Sequence, residues 1–232
     1  MLLANGADVQ IDGGECGNAL QAASLQGHRD VVLLLLEKDA DVIAQGGFYG
    51  TALYASACEG HMEIVQLLLE RGANVDAHGG YYGNALQASA RRGFVAVTQK
   101  LLEWDANINA EGGYYGNALQ AASFEGHTEM VQLLLSKGAD VNAQGGHYGN
   151  ALQAASWSGH NEVAHMLLDK SADTNAQGGR YGNALQAASR RGHMQVVKLL
   201  IHKDADVNAQ GGPYGNDLQA DERGAAATVQ RC

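Results

Sequence analysis

The string Gly17-Asn18-Ala19-Leu20-Gln21-Ala22-Ala23-Ser24 returns, nearly letter for letter, at Gly50, Gly83, Gly116, Gly149 and Gly182, and in damaged form at Gly215. Each step is 33 residues. A unit that small cannot bury an apolar face alone, so a fixed period of this length means stacked supersecondary units, a solenoid. A solenoid grows by adding neighbours, and the 232 residues are therefore expected to form one continuous array. The phase divides the chain into a partial repeat at 1–16, full repeats at 17–49, 50–82, 83–115, 116–148, 149–181 and 182–214, and a partial repeat with a tail at 215–232.

The unit from Gly116 to Tyr148 reads as two helices and a finger. Asn117 is an N-cap, able to accept from the orphan amides of a first turn, and Thr51 holds the same position in the second repeat. A short helix is predicted from Ala118 to about Glu125, with Ala118, Ala121 and Ala122 forming a small-residue stripe that permits close approach. Gly126 is a stop suited to positive φ. A second helix starts around His127 and carries Val131, Leu134 and Leu135, widened by Met130 and Leu133, up to Gly138. The glycine-rich segment from Ala139 to Tyr148 is predicted to be an extended turn or hairpin finger. Small residues inside and large ones outside predict a curved stack, with short helices and fingers on the concave face.

Gly126-His127, Val131, Leu134-Leu135 and Gly138-Ala139-Asp140-Val141-Asn142-Ala143 resemble the ankyrin repeat at the ankyrin period, and similar letters recur over positions 1–220. The resemblance implies an all-α ankyrin-repeat solenoid of helix-turn-helix units with β-turn or hairpin fingers. It further implies a protein-binding role, with partner contacts at the fingers and short-helix ends. Where ankyrin repeats usually read Thr-Pro-Leu-His, this chain reads Asn-Ala-Leu-Gln. Loss of proline's fixed φ and of the histidine's hydrogen bonds is expected. Gly-Gly-x-Tyr replaces the usual Asp and Gly of the finger, making its geometry the least transferable detail. The Tyr-Gly-Asn-Ala-Leu-Gln-Ala-Ala-Ser idiom is similar to the ankyrin tails of fungal multidomain proteins of the NOD-like-receptor type.

Leu2 to Val9 are in phase with Leu134 to Val141, so the sequence opens mid-repeat. Asp217 and Asp221 replace stripe alanines, and Ala225 to Cys232 fit no phase. A polar cap is one reading of that end; a fragment of a longer product is the expected one. The third repeat is irregular: Phe94, Thr98 and Lys100 stand where the fourth has His127, Val131 and Leu133. Lost buried methyls there predict a locally weaker interface, by about 1 kcal/mol per contact. Asp39, Asp105, Ser171 and Asp204 occupy the Gly138 position, where αL backbone is expected.

Fifteen Lys and Arg against 25 Asp and Glu give a net charge of -10, which argues against binding a phosphate backbone. The longest apolar run, Val31 to Leu36, is far below the roughly 20 residues that span a bilayer, and Met1 to Gly6 turn polar too soon for a signal peptide. Three cysteines without a CxxC spacing suggest neither a disulfide framework nor a zinc site. A cytoplasmic or nuclear location is the expectation. His28, His61, His127, His160 and His193 recur once per repeat, roughly 10 Å apart, too far to share a metal bound at about 2.0–2.1 Å. Asp140 and Asn142 read as turn caps, Gly178 to Gly182 lack phosphate-loop spacing, and Cys58 with His61 has no orienting third group. No enzyme activity, cofactor, metal or small-molecule substrate is expected.

Function is sought where the copies disagree. Ahead of the finger tyrosine stand Glu15, Phe48, Tyr81, Tyr114, His147, Arg180 and Pro213. At the end of the short helix stand Leu25-Gln26, Cys58-Glu59, Arg91-Arg92, Phe124-Glu125, Trp157-Ser158 and Arg190-Arg191. Tyr, Trp, Phe and Arg are hot-spot residues, burying large area on few rotors or offering a planar set of donors. The unvarying Tyr49, Tyr82, Tyr115, Tyr148, Tyr181 and Tyr214 are expected to pack finger on finger. Phe48, Tyr81, Arg91, Arg92, Tyr114, Phe124, Glu125, His147, Trp157, Arg180, Arg190 and Arg191 are the expected contacts for a protein partner, the arginine pairs adding a preference for an acidic segment. The alternative is a sensor or scaffold tail of a larger NACHT-type signalling NTPase with no independent activity.

Overall fold

A computed structural model of the chain describes residues 13–14 and 16–209; expectations for the partial first repeat, for Glu15, Pro213 and Tyr214, and for residues 215–232 lie outside the described residues. Among the described residues, short helices α1 (Ala19–Leu25), α3 (Ala52–Glu59), α5 (Ala85–Arg91), α7 (Ala118–Glu125), α9 (Ala151–Ser158) and α11 (Ala184–Arg191) alternate with longer ones. The latter are α2 (Arg29–Glu37), α4 (Met62–Glu70), α6 (Val95–Glu103), α8 (Thr128–Ser136), α10 (Asn161–Asp169) and α12 (Met194–His202). The array is an all-α solenoid of helix-turn-helix units, as expected.

Each short helix starts because its N-cap side chain accepts from an amide of the first turn: Asn117 Oδ1 takes the Gln120 N–H at 2.9 Å, and Thr51 Oγ1 takes the Tyr54 N–H at 3.0 Å. It stops at glycine. Gly126 has φ 78°, and a Cβ there would lie 2.5 Å from the imidazole of His160 in the next repeat. One residue type thus meets both a left-handed turn and a close approach between repeats. Ala118, Ala121 and Ala122 are buried to 1%, 0% and 0% exposure, so neighbouring short helices lie close along one another while the long helices touch more sparsely. That asymmetry is the one a stack curved towards its short-helix side requires.

The core runs unbroken through the array. Leu53, Leu86, Leu119 and Leu152 of the short helices meet Leu68, Leu101, Leu134 and Leu167 of the long ones, all buried. Each such side chain contributes about 1.5–3 kcal/mol relative to exposure. Asp39, Asp105, Ser171 and Asp204 adopt φ of 60°, 61°, 65° and 62°, the αL conformation expected of them.

The irregular third repeat differs from expectation in kind. Thr98 is fully buried, but its hydroxyl shares a 2.8 Å hydrogen bond with Ser89 Oγ. Lys100 reaches Glu103 at 2.6 Å, and Phe94 packs against the core. Polar pairing offsets part of the methyl loss there.

Candidate partner-binding surface

The glutamine of each Asn-Ala-Leu-Gln motif builds the fingers. In the third repeat Gln87 Oε1 accepts from the Asn84 N–H at 2.8 Å, completing a capping box. Gln87 Nε2 then donates across to the next finger, at 2.8 Å to the Ala110 carbonyl and 3.1 Å to that of Gly116. Gln120, Gln153 and Gln186 reach the equivalent carbonyls of Ala143, Ala176 and Ala209. The expected loss of the histidine's hydrogen bonds is thereby corrected: an amide carries one acceptor and two donors, and all three functions are used by Gln87.

Each finger is a minimal hairpin closed by one antiparallel bridge, as at Gly112 with Gly116, Gly145 with Gly149 and Gly178 with Gly182. Successive fingers are zipped by backbone: the Tyr114, His147 and Arg180 N–H groups donate to the Tyr81, Tyr114 and His147 carbonyls at 3.1, 2.8 and 3.0 Å. The Gly-Gly pair makes that approach possible. Gly113 has φ 61°, and a Cβ on it would lie 2.2 Å from the Tyr82 carbonyl carbon. At the second repeat Tyr54 replaces glutamine and its hydroxyl accepts from the Tyr82 N–H at 3.3 Å. The bridge there shifts to His78 with Asn84.

Two aromatic columns result. The inner one is the unvarying ladder: Tyr82, Tyr115, Tyr148 and Tyr181 stack ring on ring at 5.7, 6.2 and 6.0 Å, packing finger on finger as expected. Burial pushes the Tyr115 and Tyr148 hydroxyls well above the ordinary tyrosine range. Tyr81, Tyr114 and His147 form the outer column, stacked at 5.2 and 4.8 Å. Phe48 and Tyr81 are 45% and 46% exposed, whereas Tyr114, His147 and Arg180 are half-buried. Burial, with Arg180 nearby, lowers the His147 pKa, disfavouring the imidazolium.

The short-helix positions divide. Phe124 sits between Tyr115 and Tyr148 at 5.1 and 4.6 Å, and Trp157 stacks on Tyr181 at 3.7 Å, so both are partly spent on the tyrosine ladder. Arg91 departs furthest from expectation. It is 8% exposed, lies 4.2 Å from the Tyr82 ring centroid and pairs with Glu125 at 3.1 Å. Arg91 thus lies deeper than Phe124 and Trp157, which are half-buried in the same column between successive tyrosines. Arg92 pairs with Glu59 at 3.0 Å and donates to the Cys58 carbonyl at 3.1 Å. Arg190 and Arg191 are exposed, the latter with its guanidinium 4.9 Å from the Trp157 ring centroid.

The recurring histidines serve the stack. Nε2 of His61, His127, His160 and His193 bonds the carbonyls of Leu25, Arg91, Phe124 and Trp157 at 2.9–3.0 Å. A carbonyl only accepts, so Nε2 carries the hydrogen. Asp140 Oδ1 accepts from Asn142 N–H, and Asn142 Oδ1 from Asp173 N–H, a chain of turns linking repeats. Among the described residues no group of three or more His, Cys, Asp and Glu is placed to hold a metal ion, and no helix is long and apolar enough to cross a membrane. The glutamine bridges, the finger zipper and the Arg92 bond escaped sequence reasoning; the 33-residue spacing of Glu59 and Arg92 was the available signal for the last.

The family model for ankyrin repeats matches the chain in three copies, over residues 43–112, 86–178 and 146–211. No curated protein matches it.

Proposed function

Because the chain belongs to the ankyrin-repeat family, whose repeats are generic protein–protein interaction modules, we propose that it binds a protein partner on the concave face formed by its fingers and short helices. One observation carries this reading. Phe48, Tyr81, Tyr114 and His147 present four consecutive finger tips as aromatic rings, and the last three are held by the backbone zipper. Aromatic side chains on a backbone fixed before binding offer contact area at small entropic cost. Conserving stack geometry does not require this column to be aromatic, since Arg180 continues it.

The test is affinity capture with the whole chain, read by mass spectrometry, against the Phe48→Ala, Tyr81→Ala variant. Both side chains are exposed, so helical circular dichroism should not change. Partners captured by the parent and lost by the variant support the reading; equal capture by both refutes it. The tail of a NACHT-type NTPase remains the second reading, supported by the motif idiom. An in-frame nucleotide-binding domain encoded upstream decides for it.

A further inference from the structure

Two finger tips hold their predecessors by two contacts at once. The Tyr114 N–H donates to the Tyr81 carbonyl at 3.1 Å, and the two rings stack at 5.2 Å with planes 24° apart. His147 repeats both contacts on Tyr114, at 2.8 Å for the hydrogen bond and at 4.8 Å and 17° for the rings. Tyr81 carries the same two groups, an N–H and a ring, and lacks such a predecessor. Among the described residues, which include both adjoining fingers, its N–H has no acceptor and its ring stacks on Tyr114 alone. Phe48, one finger earlier, makes its ring contact edge-on with Tyr49, at 5.3 Å and 81°.

The cause is local. Tyr54 fills the place of the bridging glutamine; its hydroxyl accepts from the Tyr82 N–H at 3.3 Å, and the finger's bridge moves to His78 with Asn84. A Cβ on Gly113, Gly146 or Gly179 would meet the carbonyl carbon of the preceding inner tyrosine at 2.2, 2.2 and 2.3 Å, whereas on Gly80 it would meet the Phe48 carbonyl oxygen at 2.5 Å. The finger of Tyr81 is therefore offset against that of Phe48, and the Phe48 carbonyl lies against Gly80 instead of taking the Tyr81 N–H.

We infer that Tyr81 is an open subsite at the end of the outer column and takes an aromatic residue of the protein partner. The partner's ring stacks on Tyr81 from the Phe48 side, and its main-chain carbonyl accepts the Tyr81 N–H. The inference rests on the proposed protein-binding function. The array itself selects the occupant: a residue able to make both contacts must offer what Tyr81 offers Tyr114 and Tyr114 offers His147, a carbonyl and a planar ring together. An aromatic residue in an extended segment supplies both. Phe48 and Tyr81 are 45% and 46% exposed, so the site is within reach of a partner. A nucleobase offers the plane, but its phosphates meet a net charge of -10.

The test joins residue-level amide exchange of the whole chain with selection of a random peptide display library on the parent and on Tyr81→Ser, whose helical circular dichroism should match. In the free parent the Tyr81 amide should exchange much faster than those of Tyr114 and His147. Selected peptides should share one aromatic residue, bind Tyr81→Ser about tenfold more weakly, and slow exchange at Tyr81. A Tyr81 amide already as protected as that of Tyr114 would overturn the subsite. So would selected peptides that share a basic residue and no aromatic one, equal affinity on the variant, or equal competition by a short single-stranded DNA; each of these leaves protein binding intact. Failure to enrich any peptide on either chain would overturn the binding reading as well.

Discussion

Arg92 Nε donates to the Cys58 carbonyl at 3.1 Å, filling the acceptor that His61, His127, His160 and His193 fill at the other junctions between described repeats. Phe94 stands where the histidine would be, and Arg92 reaches over it, its guanidinium carbon 5.9 Å from the ring centroid. An arginine two residues earlier thus replaces an imidazole. The exchange follows from the helix terminus: the last carbonyls of α3 have no intrahelical donor, and Arg92 supplies one to Cys58 from the next repeat.

Arg92→Ala should therefore destabilise the array by about 1–3 kcal/mol, the cost of a lost hydrogen bond to the Cys58 carbonyl together with a lost ion pair to Glu59. Adding Phe94→His should restore most of the loss, because the imidazole regains the Cys58 carbonyl. Urea unfolding of the three chains measures it; an Arg92→Ala chain as stable as the parent contradicts the account.

Gly113→Ala should cost more than 1 kcal/mol, since it combines αL backbone with a Cβ 2.2 Å from the Tyr82 carbonyl carbon. Gly138→Asp is the contrast. No atom lies within 4 Å of a Cβ at Gly138, and Asp39, Asp105 and Asp204 already hold that position. Melting temperatures of the two variants should differ clearly, and equal losses would show that finger spacing does not constrain the glycine.

Gln153→Ala removes the capping-box acceptor for Asn150 N–H and the donor to the Ala176 and Gly182 carbonyls. A loss of about 1–3 kcal/mol is expected, with faster amide exchange at Gly178 and Gly182 in the following finger. Loss of stability with unchanged exchange there would mean the bridge does not hold the finger.

Burial lowers the His160 pKa despite its bond to the Phe124 carbonyl and the nearby Glu125, and the His147 pKa is lowered likewise. The unfolded chain then binds more protons than the folded one once pH falls below the ordinary histidine value of about 6.5. Stability is full above that value and is lost progressively as pH falls towards the depressed folded values. Thermal melts across this window should show the midpoint dropping on acidification, less so in His160→Asn. A midpoint that rises on acidification through the same window contradicts the assignment.

Helix bounds were legible because local chemistry sets them: Asn117 and Gly126 bracket α7 as Ala118–Glu125. The solenoid followed from the period, its helices from the caps and apolar spacing of each unit, and the tyrosine ladder from its constancy. Side-chain bridges between repeats were not legible, because Gln87 reaches Ala110 and Gly116 only once the offset between stacked units is known. The burial of Arg91 was not legible for a related reason. Its residue type reads as an interface cation, yet its position lies between Tyr82 and Tyr115, where a phenylalanine or tryptophan sits in the next two repeats.

The binding face is the central claim, and hydrogen–deuterium exchange of the chain with and without a captured partner tests it most directly. Slowed exchange at the fingers around Gly79–Tyr82, Gly112–Tyr115 and Gly145–Tyr148 and at the ends of α5, α7 and α9 is the predicted result. Protection confined to the outer helices α4, α6, α8 and α10 would contradict it.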